Sequence, residues 1–241
     1  MIEGRTGMRA NRRRARTAGA IYLVVALTGI FSLGYVPAQI HVPGDVHATV
    51  DKIVALKSLF RLGILSELIQ YTLFLPLAFA LYRLLRNVNK SVAVAMVTLV
   101  AVSIPIAFGA VANKMDVLSL LSDDKLVRAL TTDQLDTQVR LLLDSYSNTI
   151  LLCEIFWGLW LFPFGYLVFK SGVLPKALGV LLMVGCFSYL FDFVAGFTET
   201  AIPSLILLPA SIGEIGTCLW LLVVGAKPPV PGEADVVSPA T

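Results

Sequence analysis

Four isolated carboxylates stand inside four separate apolar stretches of this chain: Glu67, Glu154, Asp192 and Glu214. An ionised side chain near the centre of a bilayer costs at least about 2.5–3.5 kcal/mol, so it normally has a partner or faces a wet cavity. Four such acids predict a shared polar interior. The chemistry open to them is binding a cation, exchanging a proton, or hydrogen-bonding the head of an amphiphile.

Other polar residues recur at helical spacing beside these acids. Around Glu154, the residues Asp144, Ser147, Asn148 and Leu151 follow intervals of three and four, which predicts one helical face. We expect Glu154 to be the centre of the site, within reach of at least one other acid. Arg61 is a candidate counter-ion for Glu67, although a long cationic side chain can instead extend to the membrane surface. The predicted ligand-binding set is Arg61, Glu67, Gln70, Tyr71, Asp144, Asn148, Glu154, Tyr189, Asp192 and Glu214.

The same pattern has structural explanations. Ser, Gly, Asn and Gln hold membrane helices together, and a protonated acid in apolar surroundings can simply donate a hydrogen bond. Three functions therefore stay open. The first is binding or transport of a cation, a proton or an amphiphile in a carboxylate-lined cavity. The second is an intramembrane enzyme that uses a Glu/Asp pair or metal on a lipid-like substrate, and the third is a non-catalytic assembly partner.

The sequence names no cofactor and predicts no metal site. His41, Asp45, His47 and Asp51 are ligand types suited to a divalent metal, but a solvated loop is the favoured interpretation. These two histidines are the only ones in the chain, which argues against a bis-histidine haem. No G-x-S-x-G elbow and no phosphate-binding loop occurs, so the catalytic residues stay unknown.

Aromatic residues are concentrated after Glu154, where Trp157 and Trp160 stand close to Pro163. Such residues usually anchor a helix at the membrane surface. The alternative is the wall of a lipid or isoprenoid pocket. Pro163 is expected to kink or loosen its helix.

The elements that must position these residues are membrane-spanning helices. Hydrophobic residues make up 57% of the chain and charged residues 15%, against about 25% charged in soluble domains. Continuous apolar runs predict an all-α, six-span transmembrane bundle and not a barrel. The predicted spans are 17–39, 57–85, 91–113, 138–170, 176–198 and 203–226.

Lysine and arginine are concentrated on one side of these spans. Arg83, Arg86 and Lys90 follow the second span, and Lys170 and Lys176 flank the turn after the fourth. The positive-inside rule then predicts that both termini are cytoplasmic. The outer connections, 40–56 and 114–137, are predicted to form short helices at the membrane interface, and Thr131 is a candidate cap for the fourth span.

The two ends of the chain differ in composition from the predicted transmembrane bundle. Residues 1–7 contain a factor Xa recognition sequence and are interpreted as a remnant of engineering, because Met8 resembles a native start. The arginines of segment 8–16 are expected to meet anionic lipid headgroups and not nucleic acid. The domain prediction is a basic cytoplasmic arm at 8–16, the transmembrane domain at 17–226 and a disordered cytoplasmic tail at 227–241. Oligomeric state is not predicted.

Several segments together resemble a known family of bacterial membrane proteins. These segments run from Arg16 to Leu23, from Leu81 to Asn89, and from Gly165 to Leu182, and they continue through Tyr189-Leu190 with Asp192 and Leu219-Trp220-Leu221-Leu222 with Gly225. The resemblance is to the family catalogued as domain of unknown function 4386, over nearly the whole chain. It implies a six-helix protein of a bacterial plasma membrane, and it supplies no catalytic residues.

Overall fold

The computed structural model describes residues 2–226, with side chains for 12–203 and 205–226. The predicted 227–241 tail lies outside the described residues. Within them the fold is all-helical, with six helices long and apolar enough to cross a membrane. The helices are α1 (Ile2–Gly29), a π-helical segment (Ile30–Tyr35), α2 (Val36–Ile40), α3 (Val46–Ala55), α4 (Lys57–Leu85), α5 (Lys90–Leu120), α6 (Asp124–Ala129), α7 (Thr132–Ser171), α8 (Lys176–Phe197), a 3-10 helix (Ser204–Leu207) and α9 (Leu208–Val223).

Three helices extend beyond their predicted ends, and the first of them, α1, begins at Ile2, ahead of the predicted residue 17. The third span continues through Lys114 to Leu120, because the predicted boundary at residue 113 marked a change in polarity and not a helix stop. The fourth begins at Thr132, where Thr131 accepts a hydrogen bond from the backbone N–H of Gln134, and the Gln134 side chain completes a capping box. This confirms the predicted cap. Short helices α3 and α6 occupy the two long connections, and their position at the membrane interface stays a prediction.

The six spanning helices close into a ring. Each packs against two others in the order α1, α4, α5, α7, α8, α9 and back to α1. We call the end of the ring that carries α3 and α6 the α3 end, and the other end the turn end. The turn end is filled by a large apolar core that includes Leu81, Met96, Phe164, Leu167 and Leu221.

The α7–α8 hairpin packs closely at the turn end. Gly172 adopts a left-handed φ of 64°, and Pro175 precedes the first turn of α8. A Cβ on Gly165 would lie 2.6 Å from the carbonyl oxygen of Gly179. The two glycines therefore bring the backbones of α7 and α8 into contact.

Candidate functional site

A cavity of about 1340 Å³ lies inside the ring toward the α3 end. Its wall is mainly aliphatic and aromatic, and is built by the first span together with α4, α7, α8 and α9. On α7 the lining runs from Leu143 to Trp160, which at 1.5 Å per residue is about 25 Å of helix. The volume exceeds the roughly 300–1,000 Å³ of ordinary small-molecule pockets. Only a large or long ligand would fill it.

Two of the four acids line this cavity, Glu154 from α7 and Glu214 from α9. The Tyr22 hydroxyl donates to Glu214 Oε1 at 3.2 Å, and the Tyr189 hydroxyl donates to Glu214 Oε2 at 3.4 Å. Tyr189 also lies in the electrostatic field of Glu154. Tyr189 packs against α7 at Gly158, where an added Cβ would be 2.9 Å from the Tyr189 Cβ.

Three buried polar atoms on lining residues have no hydrogen-bond partner within the described part of the chain. They are Glu154 Oε2, Trp157 Nε1 and the Tyr71 hydroxyl. The Tyr71 and Trp157 rings stack at a centroid distance of 6.1 Å, so these atoms belong to one patch of the wall. Most buried polar groups in proteins are hydrogen-bonded. The patch therefore places an unpartnered acceptor, a donor and a hydroxyl just beneath the cavity wall.

Glu67 has a different environment from the cavity acids. Its carboxylate is fully buried and forms an ion pair with the buried ammonium of Lys114 on α5. The Tyr146 hydroxyl donates to the same Glu67 oxygen at 3.1 Å, and the Lys114 ammonium also lies 3.8 Å from the centre of the Tyr146 ring. Lys114, and not the exposed Arg61, is thus the counter-ion of Glu67.

The remaining predicted site residues divide between the cavity wall and its surroundings. Gln70, Tyr71 and Tyr189 line the cavity, whereas the half-buried Asp192 does not. Asp144 and Asn148 are exposed, and Asp144 contacts Arg140 at 3.5 Å.

The predicted α7 stripe was therefore wrong at its outer members. The lining face passes through Leu143, Tyr146, Ser147, Ile150 and Glu154. One residue corresponds to about 100° of rotation on a helix, which turns Asp144 and Asn148 away from the cavity.

Helix α3 is held against α7 by a histidine. His47 Nδ1 lies 2.8 Å from Asp136 Oδ2 on α7, and His47 Nε2 lies 3.7 Å from Asp51. The hydrogen bond to Asp136 raises the pKa of His47 above its usual value, and the charges of Asp136 and Asp51 add to this. Thr49 and Ile53 of α3 line the cavity, so this bridge holds part of its wall in place.

Metal ligands do not cluster in the described part of the chain, where no group of three or more His, Cys, Asp or Glu residues could hold an ion. His41 lines the cavity, while His47 contacts Asp136 and Asp51. The three cysteines are buried and free.

Sequence reasoning missed three residues that complete the site: Tyr22, Lys114 and Tyr146. One signal was available for Lys114. A lone lysine at the end of an apolar run is a natural partner for a lone acid in a neighbouring span. The tyrosines gave no such signal, because a tyrosine in a membrane helix usually marks the interface.

Comparison with known proteins gives this chain a family but no reaction. An uncharacterized protein of Archaeoglobus fulgidus is 34% identical over 85 residues, which is 35% of this chain and 51% of the relative. The chain thus spans about half the length of that curated relative. No solved structure matches. The family model described as domain of unknown function (DUF4386) matches residues 17–225, and the chain belongs to that family of multi-pass helical proteins.

Proposed function

We propose that this membrane protein binds an amphiphilic small molecule in the cavity of its helix ring. The observation that carries the proposal is the patch of unpartnered polar atoms on Glu154, Trp157 and Tyr71 in a mainly apolar wall. Ligand sites combine an apolar lining with a few convergent polar groups, and this cavity has both. The polar patch would hold the head of the ligand and the aliphatic wall its chain.

The dimensions support a chain-bearing ligand. About 25 Å of lined helix exceeds half of the roughly 30 Å hydrocarbon core of a bilayer, so one lipid chain fits along it. A purely structural assembly partner has no need of such a space, since membrane helices gain stability by close packing. We further propose that the protein resides in a plasma membrane with both termini cytoplasmic. The distribution of lysine and arginine supports this orientation.

Tryptophan fluorescence tests the proposal directly. Trp157 and Trp160 line the cavity, and the third tryptophan, Trp220, is not among the lining residues. The purified protein in detergent is titrated with 2-bromoundecanol, whose bromine lies next to the head group and quenches indoles that it touches. Cavity binding predicts saturable quenching that is reversed by unbrominated undecanol.

Two variants separate binding from partition into the micelle. Trp220→Phe keeps both cavity indoles and should keep the saturable component, whereas Trp157→Phe should lose a large part of it. Quenching that rises linearly without saturation, or that survives only through Trp220, would mean that the cavity does not take the amphiphile.

A further inference from the structure

We infer that the head of the ligand is a cation: the cavity takes a long-chain ammonium amphiphile, with its head beside Glu154 and Glu214. This inference rests on the proposed function and names the chemical class of its ligand. It follows from comparing how the acids inside the ring are compensated.

Glu67 has a counter-ion within the protein, whereas Glu154 and Glu214 do not have one among the described residues. Glu67 is neutralised by Lys114 within the protein. Among the described residues, neither Glu154 nor Glu214 forms an ion pair with a lysine, arginine or histidine. Glu214 accepts only from the neutral hydroxyls of Tyr22 and Tyr189. An acid in a membrane interior requires a proton or a cation, and the cavity beside these two leaves room for a cation to enter.

Lys114 cannot serve as their counter-ion. It reaches the cavity wall, but its ammonium is held by Glu67 and by the ring of Tyr146. The charge of this pair is already balanced. The Glu154–Glu214 part of the wall is therefore the acidic part, and it is complementary to a positive head.

The aromatic wall favours an organic ammonium over a small inorganic ion. Tyr22, Trp157, Trp160 and Tyr189 all line the cavity beside the two acids. Aromatic faces attract ammonium groups, and such contacts strengthen in desolvated sites. A metal ion would instead need several oxygen ligands, and the described residues offer no such cluster. The Trp157 N–H, which has no acceptor among the described residues, would suit a hydroxyl or ester oxygen next to the amine.

The chain of the ligand has a matching apolar path. From the level of Tyr22 the lining follows the first span through Val25, Ile30 and Leu33, and the opposite wall offers Ile150 and Leu151. The π-helical segment Ile30–Tyr35 forms part of this path. Such segments interrupt regular helices mostly at functional sites. A single acyl or alkyl chain would lie along it with its head at the acids.

The experiment compares three probes that share one chain. Undecylamine, undecanol and undecanoic acid are titrated as competitors against the full-length protein with bound 2-bromoundecanol, and the recovery of tryptophan fluorescence is followed near neutral pH. Because a hydrogen bond with a charged group is worth about 1.5–3 kcal/mol, we expect the amine to bind about tenfold or more tightly than the alcohol, and the acid most weakly.

Variants assign this preference to the acids. Glu154→Gln and Glu214→Gln should each reduce the preference of the protein for amine over alcohol. Asp144→Asn, an acid-to-amide change at an exposed position of the same helix as Glu154, should leave it unchanged. Because the readout is a ratio of two affinities in one variant, a partial loss of folded protein does not alter it.

The outcomes separate the two proposals. Equal saturable binding of amine and alcohol, or a preference that survives in both Gln variants, overturns the cationic ligand and leaves the amphiphile site intact. If 2-bromoundecanol gives no saturable quenching, the proposed function itself fails and the inference falls with it.

Discussion

The buried Glu67–Lys114 pair gives the sharpest prediction for stability. Both side chains are removed from solvent, with 0% and 8% of their surface exposed. Lys114→Met removes the cation and leaves the carboxylate with the Tyr146 hydroxyl as its hydrogen-bond donor. Breaking a buried pair in this way costs about 3–5 kcal/mol, because one uncompensated charge stays in a desolvated site.

Removing both charges should restore most of that loss. In the double variant Glu67→Gln/Lys114→Met, the glutamine can still accept from Tyr146 and no buried charge remains. Replacing a buried pair by neutral groups of similar volume is often neutral or stabilising. We therefore expect the double variant to be more stable than Lys114→Met alone, which is strong non-additivity between residues in contact.

The assay is equilibrium unfolding in mixed micelles of a mild detergent and dodecyl sulfate, followed by tryptophan fluorescence and circular dichroism. Arg61→Met is the matched control, since it removes an exposed cation from the helix that carries Glu67. A surface change of this kind alters stability by no more than about 0.5 kcal/mol. The reasoning is refuted if Lys114→Met unfolds like the control, or if the double variant loses as much as the two single variants together.

Three further predictions test the packing, the α3 bridge and the topology. Gly165→Ala should cost about 1–3 kcal/mol of unfolding free energy in the same assay, because its Cβ would meet backbone of α8, whereas Gly109→Ala points into open space and should not destabilise. His47 has a raised pKa in the folded protein, so its bridge to α7 stabilises most at acidic pH and is lost as the pH rises through that raised value. The thermal midpoints of wild type and His47→Asn should therefore differ most at acidic pH and converge above it, and a constant difference would contradict the bridge. An impermeant thiol reagent added to intact cells should label Asp124→Cys and not Asn89→Cys, while the native cysteines are buried, and the reverse pattern would invert the predicted orientation.

Many residues of the candidate site could be identified from the sequence, but the contacts between them could not. Lone acids in apolar runs identified Glu154 and Glu214, and both line the cavity. The same rule also selected Glu67, whose charge turned out to be balanced inside the protein. Only the helix order in the ring shows that α5 delivers Lys114 to Glu67, because that contact joins residues 47 positions apart.

The sequence by itself determined the class of the protein and the number of its spans. Hydropathy is a local property, and a bilayer admits only segments whose backbone groups are paired internally, so length and polarity alone specify helices. Tertiary structure decided which face of each helix meets the cavity. A shift of one residue turns a side chain by about 100°, and that rotation depends on contacts between spans distant in the chain. For this reason Glu154 lies on the cavity wall while Asp144 and Asn148, on the same predicted stripe, are exposed.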